Sequence, residues 1–285
     1  MEHTSLMQKY SNKRNEKASF KKNEAGVSYH KEDLRTMPDN TDECLVYGRN
    51  SVRELLKSER TVDKLYVVKG IREGSMSMLV QLAIEKKIPV VEVEKSKLDY
   101  MCSGANHQSV AAIAAAKEYS SIEDIIAIAK DRGEKPFVII LDGVEDPHNL
   151  GAIIRTSECC GAHGIIIPKH RSATLNSVVS KTSAGALEYM AVAKVTNLSA
   201  TIEKLKQEGF WIFAAEAGGE EYYSVDYNVP CAVVLGSEGK GISRLVKEKC
   251  DYIVSIPLYG NINSMNVSAA AAVIISEVAR QHHKN

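Results

Sequence analysis

The chain has 285 residues, 44% of them hydrophobic and 25% charged, which suits two globular domains and excludes a wholly disordered or fibrous chain. Its 36 basic residues balance 36 acidic ones, so it is not a uniformly basic nucleic-acid binder, although a local basic face stays open to it. No run of about 18 apolar residues marks a membrane span, and the N-terminus lacks the apolar core of a signal peptide. The six cysteines form no C-x-x-C pair and no His/Cys cluster at ligand spacing. They read as free thiols in a cytoplasmic protein, with no metal site.

Residues 1–42 are polar and lack apolar periodicity, and they read as a disordered basic tail carrying Lys9, Lys13, Arg14, Lys17, Lys21 and Lys22. Globular patterning spans 43–117. Val52 to Leu56 reads as helix opened by Asn50 or Ser51, Lys64–Val68 as strand and Ser77–Lys86 as helix. Ile88–Val93 reads as strand with proline at its start, and Ser109–Ala116 as a last strand. This is a small α/β unit. A connector, 118–135, carries a helix at Ile122–Arg132 ended by Gly133. In 136–285, strands are expected at Phe137–Leu141, Gly164–Ile167, Phe210–Ala215, Ala232–Leu235 and Tyr252–Ile256. Helices are expected at Asn149–Cys160, Asn176–Ser183, Leu198–Glu208 and Asn266–His282. That alternation predicts an α/β fold with a parallel sheet covered on both faces.

Ligands of parallel sheets gather beyond the carboxyl ends of the strands, and three such places are unusual. After the first strand, Asp142 to Arg155 runs from a polar turn into a helix starting near Asn149, with Arg155 fewer than two turns on. A helix N-terminus and a guanidinium fork both suit phosphate; a plain cap and a surface arginine are the bland alternative. The second is Val233–Ile242, where three glycines follow a buried strand and Glu238 stands among them. It is neither G-x-G-x-x-G nor a Walker A loop, so it suits close backbone approach to some other ligand, or else a tight turn. The third is Ile256–Ser268, in which Asn263, Ser264, Asn266 and Ser268 crowd the start of an alanine-rich helix, more polar groups than one cap requires.

Together these stretches resemble the three signature motifs of the SpoU/TrmH family of RNA ribose 2′-O-methyltransferases, over about residues 137–282. They are N-L-G-A-I-I-R-T at Asn149–Thr156, L-G-S-E-G-K-G-I at Leu235–Ile242 and I-P-L…N-S-M-N-V-S at Ile256–Ser268. V-Y-G-R-N-S-V at Val46–Val52 and N-H-Q-S-V-A-A at Asn106–Ala112 resemble the small RNA-binding domain joined to many members. The whole arrangement is most similar to members that methylate a guanosine ribose in large-subunit ribosomal RNA. The resemblance implies a C-terminal trefoil knot, S-adenosylmethionine as cofactor and a homodimer through the knot region. It implies catalytic roles for Asn149, Arg155, Glu238, Ser264 and Asn266, with Asn149 and Glu238 orienting Arg155. It implies a cofactor site of Leu235, Gly236, Gly239, Ile256, Leu258, Met265 and Val267. Met265 replaces a common leucine at similar volume, and Ser109 stands where relatives often have glycine.

RNA contacts are expected from Arg49, Arg53, His107, Gln108, Lys169 and Arg171, with Lys69 and Arg72 adding positive charge. The C-terminal helix, with Val267, Ala270, Ala271, Ile274, Ile275 and Val278, is expected to leave one side for a second protomer. Three other functions fit less well: a transfer-RNA methyltransferase of the same family, a non-catalytic ribosome-assembly factor, and a nicotinamide enzyme lacking its fingerprint.

Overall fold

A computed structural model describes residues 20–22, 28–30, 44–71 and 74–283. Most of the expected tail, and Arg72, lie outside the described residues; within the tail, Phe20–Lys22 (β1) and Ser28–His30 (β2) pair antiparallel.

The small unit is a four-stranded sheet of order β3-β6-β4-β5, from Leu45–Tyr47 (β3), Val62–Val68 (β4), Val90–Val93 (β5) and Val110–Ala114 (β6). Only β4 and β5 run parallel. Helices α1 (Arg49–Lys57), α2 (Ser75–Glu85) and α3 (Lys95–Met101) complete it. Helix α1 is not capped by Asn50 or Ser51: it begins after Gly48, at φ 90°, with no side-chain cap. Ser51 instead lies buried in the first turn. Helix α3 escapes periodicity because seven residues give too few apolar positions; only Leu98 and Met101 are buried.

The connector helix α4 (Ile122–Arg132) forms at its expected bounds for local reasons. Ser121 and Asp124 make a reciprocal capping box, and Gly133 adopts the left-handed conformation at the other end.

The large unit is a six-stranded, all-parallel sheet of order β12-β10-β11-β7-β8-β9. Its strands are Phe137–Asp142 (β7), Gly164–Pro168 (β8), Val192–Val195 (β9), Trp211–Glu221 (β10), Cys231–Gly236 (β11) and Tyr252–Ser255 (β12). Strand β9 was not expected; at four residues it is too short to show alternation. Alternate residues divide the core. Phe137, Ile139 and Leu141 face α5 (Pro147–Cys159), α6 (Ser177–Thr182) and α9 (Val267–His282). Val138 and Ile140 face α4, α7 (Leu198–Gln207) and α8 (Arg244–Lys247).

Helix α9 corrects one expectation. Two of its sides are covered within the protomer, one by the sheet and the other by α5, while Ala269 is exposed and Ala272 and Val273 are only half-buried. Ala271 is 0% exposed and therefore cannot face a partner. No helix among the described residues is long and apolar enough to cross a membrane, and the six cysteines are free thiols.

Candidate active site

Sheet order explains why three distant sequence stretches meet. Strands β7 and β11 are neighbours and β12 lies one strand beyond β10, so the loops following β7, β11 and β12 open at one end of the sheet. The loop after β11 is a closed ring: the Ser237 and Gly241 amides and carbonyls bond each other at 3.1 and 3.0 Å. Gly236 begins it, and a Cβ there would overlap the Gly241 carbonyl carbon and the Ile242 nitrogen.

Helix α5 starts earlier than expected. Asp146 caps it, accepting from the His148 amide at 2.9 Å, and Pro147 occupies the first position. Asn149 is therefore no cap. Only 8% exposed, it donates through Nδ2 to Glu238 Oε1 at 3.1 Å and accepts through Oδ1 from Asn266 Nδ2 at 3.0 Å. Asn266 Nδ2 also donates to Glu238 Oε1 at 2.6 Å. Its Oδ1 caps α9, accepting from the Ser268 and Ala269 amides at 3.0 and 3.3 Å. One residue from each loop thus joins a single hydrogen-bonded triad.

Two cavities flank this triad. One, of about 430 Å³, lies beside the β11 and β12 loops, and Leu235, Gly236, Gly239, Ile256, Leu258, Met265 and Val267 all line it. Ser264 lines it too, and makes no hydrogen bond to the triad among the described residues. The other, of about 720 Å³, is polar; it is lined by Asn149, Glu238, His170 and Arg171 among others. Sequence reasoning missed Ala215, Glu216 and Ala217 on the wall of the smaller cavity. They lie where β10 slips register against β12 between Ala215 and Glu220, a bulge that carries no motif. Glu216 Oε1 pairs with Lys247 at 2.7 Å, whereas Oε2 is buried with no hydrogen-bond partner.

Arg155 is exposed on α5 and lines neither cavity. Six residues of helix carry it about 9 Å along the axis and some 120° around from Asn149, so the expectation that Asn149 and Glu238 orient it fails within one chain. The expected RNA contacts divide. His107 is 4% exposed; its Nδ1 accepts from the Ser109 amide and its Nε2 meets Asp99 at 2.9 Å, so it is a structural residue. Gln108 Oε1 accepts from the Arg49 amide and from Lys181 Nζ, at 3.0 and 3.1 Å. The Arg49 guanidinium bonds the Gln108 carbonyl and Ser75, and that of Arg53 bonds Glu54 and Asn50. Lys169 and Arg171 remain exposed beyond β8.

Comparison with known proteins places these features. Residues 136–276 match the SpoU rRNA Methylase family, and residues 45–120 match the family described as RNA 2′-O ribose methyltransferase substrate binding. YacO of Bacillus subtilis (strain 168), assigned by its name to the TrmH family of tRNA/rRNA methyltransferases, is 44% identical over 239 residues. The match covers 84% of this chain and 96% of that one. A TrmH-family structure from Porphyromonas gingivalis aligns with a TM-score of 0.65 at 26% identity, over 83% of this chain and 89% of the other. The SpoU methyltransferase AviRb from Streptomyces viridochromogenes, solved with AdoMet, shares the fold: TM-score 0.70, 20% identity, 83% and 89% coverage.

Proposed function

The chain belongs to the SpoU/TrmH family of RNA methyltransferases, and from that premise we propose that it transfers a methyl group from S-adenosylmethionine to a ribose 2′-hydroxyl, on a guanosine of large-subunit ribosomal RNA. The observation carrying this reading is the Asn149–Glu238–Asn266 triad, which stands between a cofactor-sized cavity and a polar one.

The smaller cavity fits the cofactor. Its volume is in the range of small-molecule sites, its walls are mainly apolar, and its glycine ring offers backbone groups. The unpartnered Glu216 Oε2 is an acceptor that a ligand bearing O–H or N–H groups would match. Bound there, S-adenosylmethionine supplies a methyl group already activated by the positive charge on its sulfur. Leu235, Ile256, Leu258 and Met265 would supply the apolar lining of the cofactor site. The triad holds the three loops at fixed separation, so the reactants are positioned rather than chemically assisted. Arg155 serves as a cation for the neighbouring phosphate and for the alkoxide that develops on the 2′-oxygen. It does not serve as a base, because a guanidinium offers N–H donors and no acceptor; the hydroxyl proton leaves to solvent.

The reading includes the C-terminal knot, supported by a chain that leaves β11, passes outside β10 as β12 and returns as α9 against α5. It also includes a homodimer through this region, in which a partner protomer completes the cleft that Arg155 does not reach within its own chain. Mapping of ribose methylation in ribosomal and transfer RNA, with and without the protein, tests the target. Loss of one guanosine 2′-O-methyl in large-subunit RNA is expected. Loss confined to transfer RNA would overturn the ribosomal assignment, and no change in either would overturn the activity.

A further inference from the structure

Among the described residues, the stretch 180–189 of the large unit carries side-chain contacts to the small unit. Ser51, 2% exposed on α1, donates through Oγ to the Ser180 carbonyl at 3.0 Å. Lys181 donates to Gln108 and its Nζ lies 5.8 Å from the centre of the Tyr47 ring. Gly185 lets the Glu54 side chain lie against the backbone: a Cβ there would come within 2.6 Å of it. Tyr189 donates its hydroxyl to Glu54 at 2.8 Å. At the centre is Glu188, its side chain 1% exposed. Its carboxylate meets Arg60 Nη1 at 3.0 Å and accepts from Ser58 Oγ at 3.4 Å; its carbonyl accepts from Lys117 Nζ at 3.1 Å. Arg60 also donates through Nε to the Ala115 carbonyl at 2.6 Å. The Glu188 carboxylate therefore ties the small unit to the large one, and its backbone carbonyl adds Lys117 at the end of the small unit.

The connector has no slack. Ser120 bridges to the edge of β9, its amide donating to the Val192 carbonyl at 2.8 Å, and the Tyr119 hydroxyl accepts from the Leu175 amide at 3.2 Å. On its other side the stretch presses on α5, which bears Asn149 and Arg155. A Cβ at Gly151 would lie 2.7 Å from Thr182 Cβ, and Thr182 Oγ1 is 3.4 Å from His148 Nδ1.

We propose that Glu188 is a positioning residue that fixes the substrate-binding unit on the catalytic unit, so that the RNA target meets a preset two-domain receptor instead of a mobile arm. A buried ion pair with one partner removed leaves an uncompensated charge, so its loss opens the contact rather than merely weakening it. The proposal rests on the methyltransferase reading for its consequence, but not for the anchor itself.

The test uses the full chain with Glu188→Gln and Glu188→Ala. Trypsin cleavage after Lys117 in native buffer reports the population of the undocked form, with no RNA or cofactor present. Cleavage is expected to rise at least about tenfold (about 1.4 kcal/mol). With RNA, KM should rise about tenfold while kcat at saturation and the affinity for S-adenosylhomocysteine stay within twofold, a split that general loss of stability does not produce. If Glu188→Ala does not fold, Tyr189→Phe combined with Lys181→Gln loosens the same contact without stranding a charge, and the same pattern is expected at smaller amplitude. A folded variant whose connector stays closed to trypsin overturns the anchor. One that opens the connector and leaves the RNA KM unchanged overturns the positioning role. A wild-type protein that methylates no RNA removes the methyltransferase reading, and the trypsin result still decides the anchor.

Discussion

Arg155 and the triad divide the work of the site between residues that cannot substitute for one another. Glu238 Oε1 receives N–H groups from Asn149 and Asn266; because Glu238 is exposed and keeps the second donor, removing either amide costs about 0.5–1.5 kcal/mol. Asn266→Ala also removes the cap of α9, a further ~1 kcal/mol. Such variants lose stability and activity together. Arg155 is different, because it is exposed and makes no hydrogen bond or ion pair among the described residues. Arg155→Ala is expected to leave the melting temperature and S-adenosylhomocysteine affinity unchanged and to lower turnover on RNA by on the order of 10²-fold. Arg155→Lys keeps the charge but loses the planar fork, and should recover only a small part. Single-turnover methylation at saturating RNA reads the effect; full turnover in Arg155→Ala would remove this residue from the mechanism.

Among the elements, the glycine ring after β11 carries the sharpest contrast. A valine at Gly236 does more than crowd a ligand: its Cβ meets the ring's own backbone at Gly241 and Ile242. Gly236→Val should therefore break the loop, abolishing S-adenosylhomocysteine binding and lowering the melting temperature. Gly239, at φ 82°, has open space around it, so Gly239→Ala costs only about 1 kcal/mol of left-handed strain and should weaken binding less than tenfold. Calorimetry on both variants tests the distinction, and equal losses would contradict it. The same element shows what the sequence made legible. A buried strand, three glycines and a stranded glutamate announce a site, and five of the six strands of the large unit follow from their apolar runs, all but β9. The triad's connectivity was not legible, because it depends on β12 lying beyond β10, and strand order leaves no local trace. Glu216 was hidden for a similar reason: a bulge aims it, not a motif. His107 and Gln108 sit in a recognisable stretch, yet their bonds to Asp99, Arg49 and Lys181 are long-range contacts.

At the scale of the whole molecule, the end of the sheet opposite the active site holds the titratable groups that matter near neutrality. His163 accepts through Nδ1 from the Phe137 amide at 3.0 Å and meets Glu134 through Nε2 at 2.9 Å, joining the end of α4 to the start of β7. Burial holds its pKa below the usual histidine value, with Glu134 opposing. His282, at the end of α9, meets the Tyr227 carbonyl at 2.7 Å, and burial lowers its pKa too, aided by Lys135 and His283. A histidine depressed on folding binds its proton more readily in the unfolded chain. Stability is then complete above the unfolded pKa of about 6.5 and falls as pH drops below it. The melting temperature should therefore decrease between pH 7.5 and 5.5, before carboxylates such as Glu123, Asp124 and Glu203, whose pKa values their hydrogen bonds hold low, begin to protonate. His163→Gln with His282→Gln keeps a side-chain acceptor for the Phe137 amide and a side-chain donor for the Tyr227 carbonyl, and removes both titrations. It should lower stability at pH 7.5 yet flatten the slope toward pH 5.5. Calorimetric melting across that window decides the matter: a double variant as steep as the parent would place the acid sensitivity elsewhere in the fold.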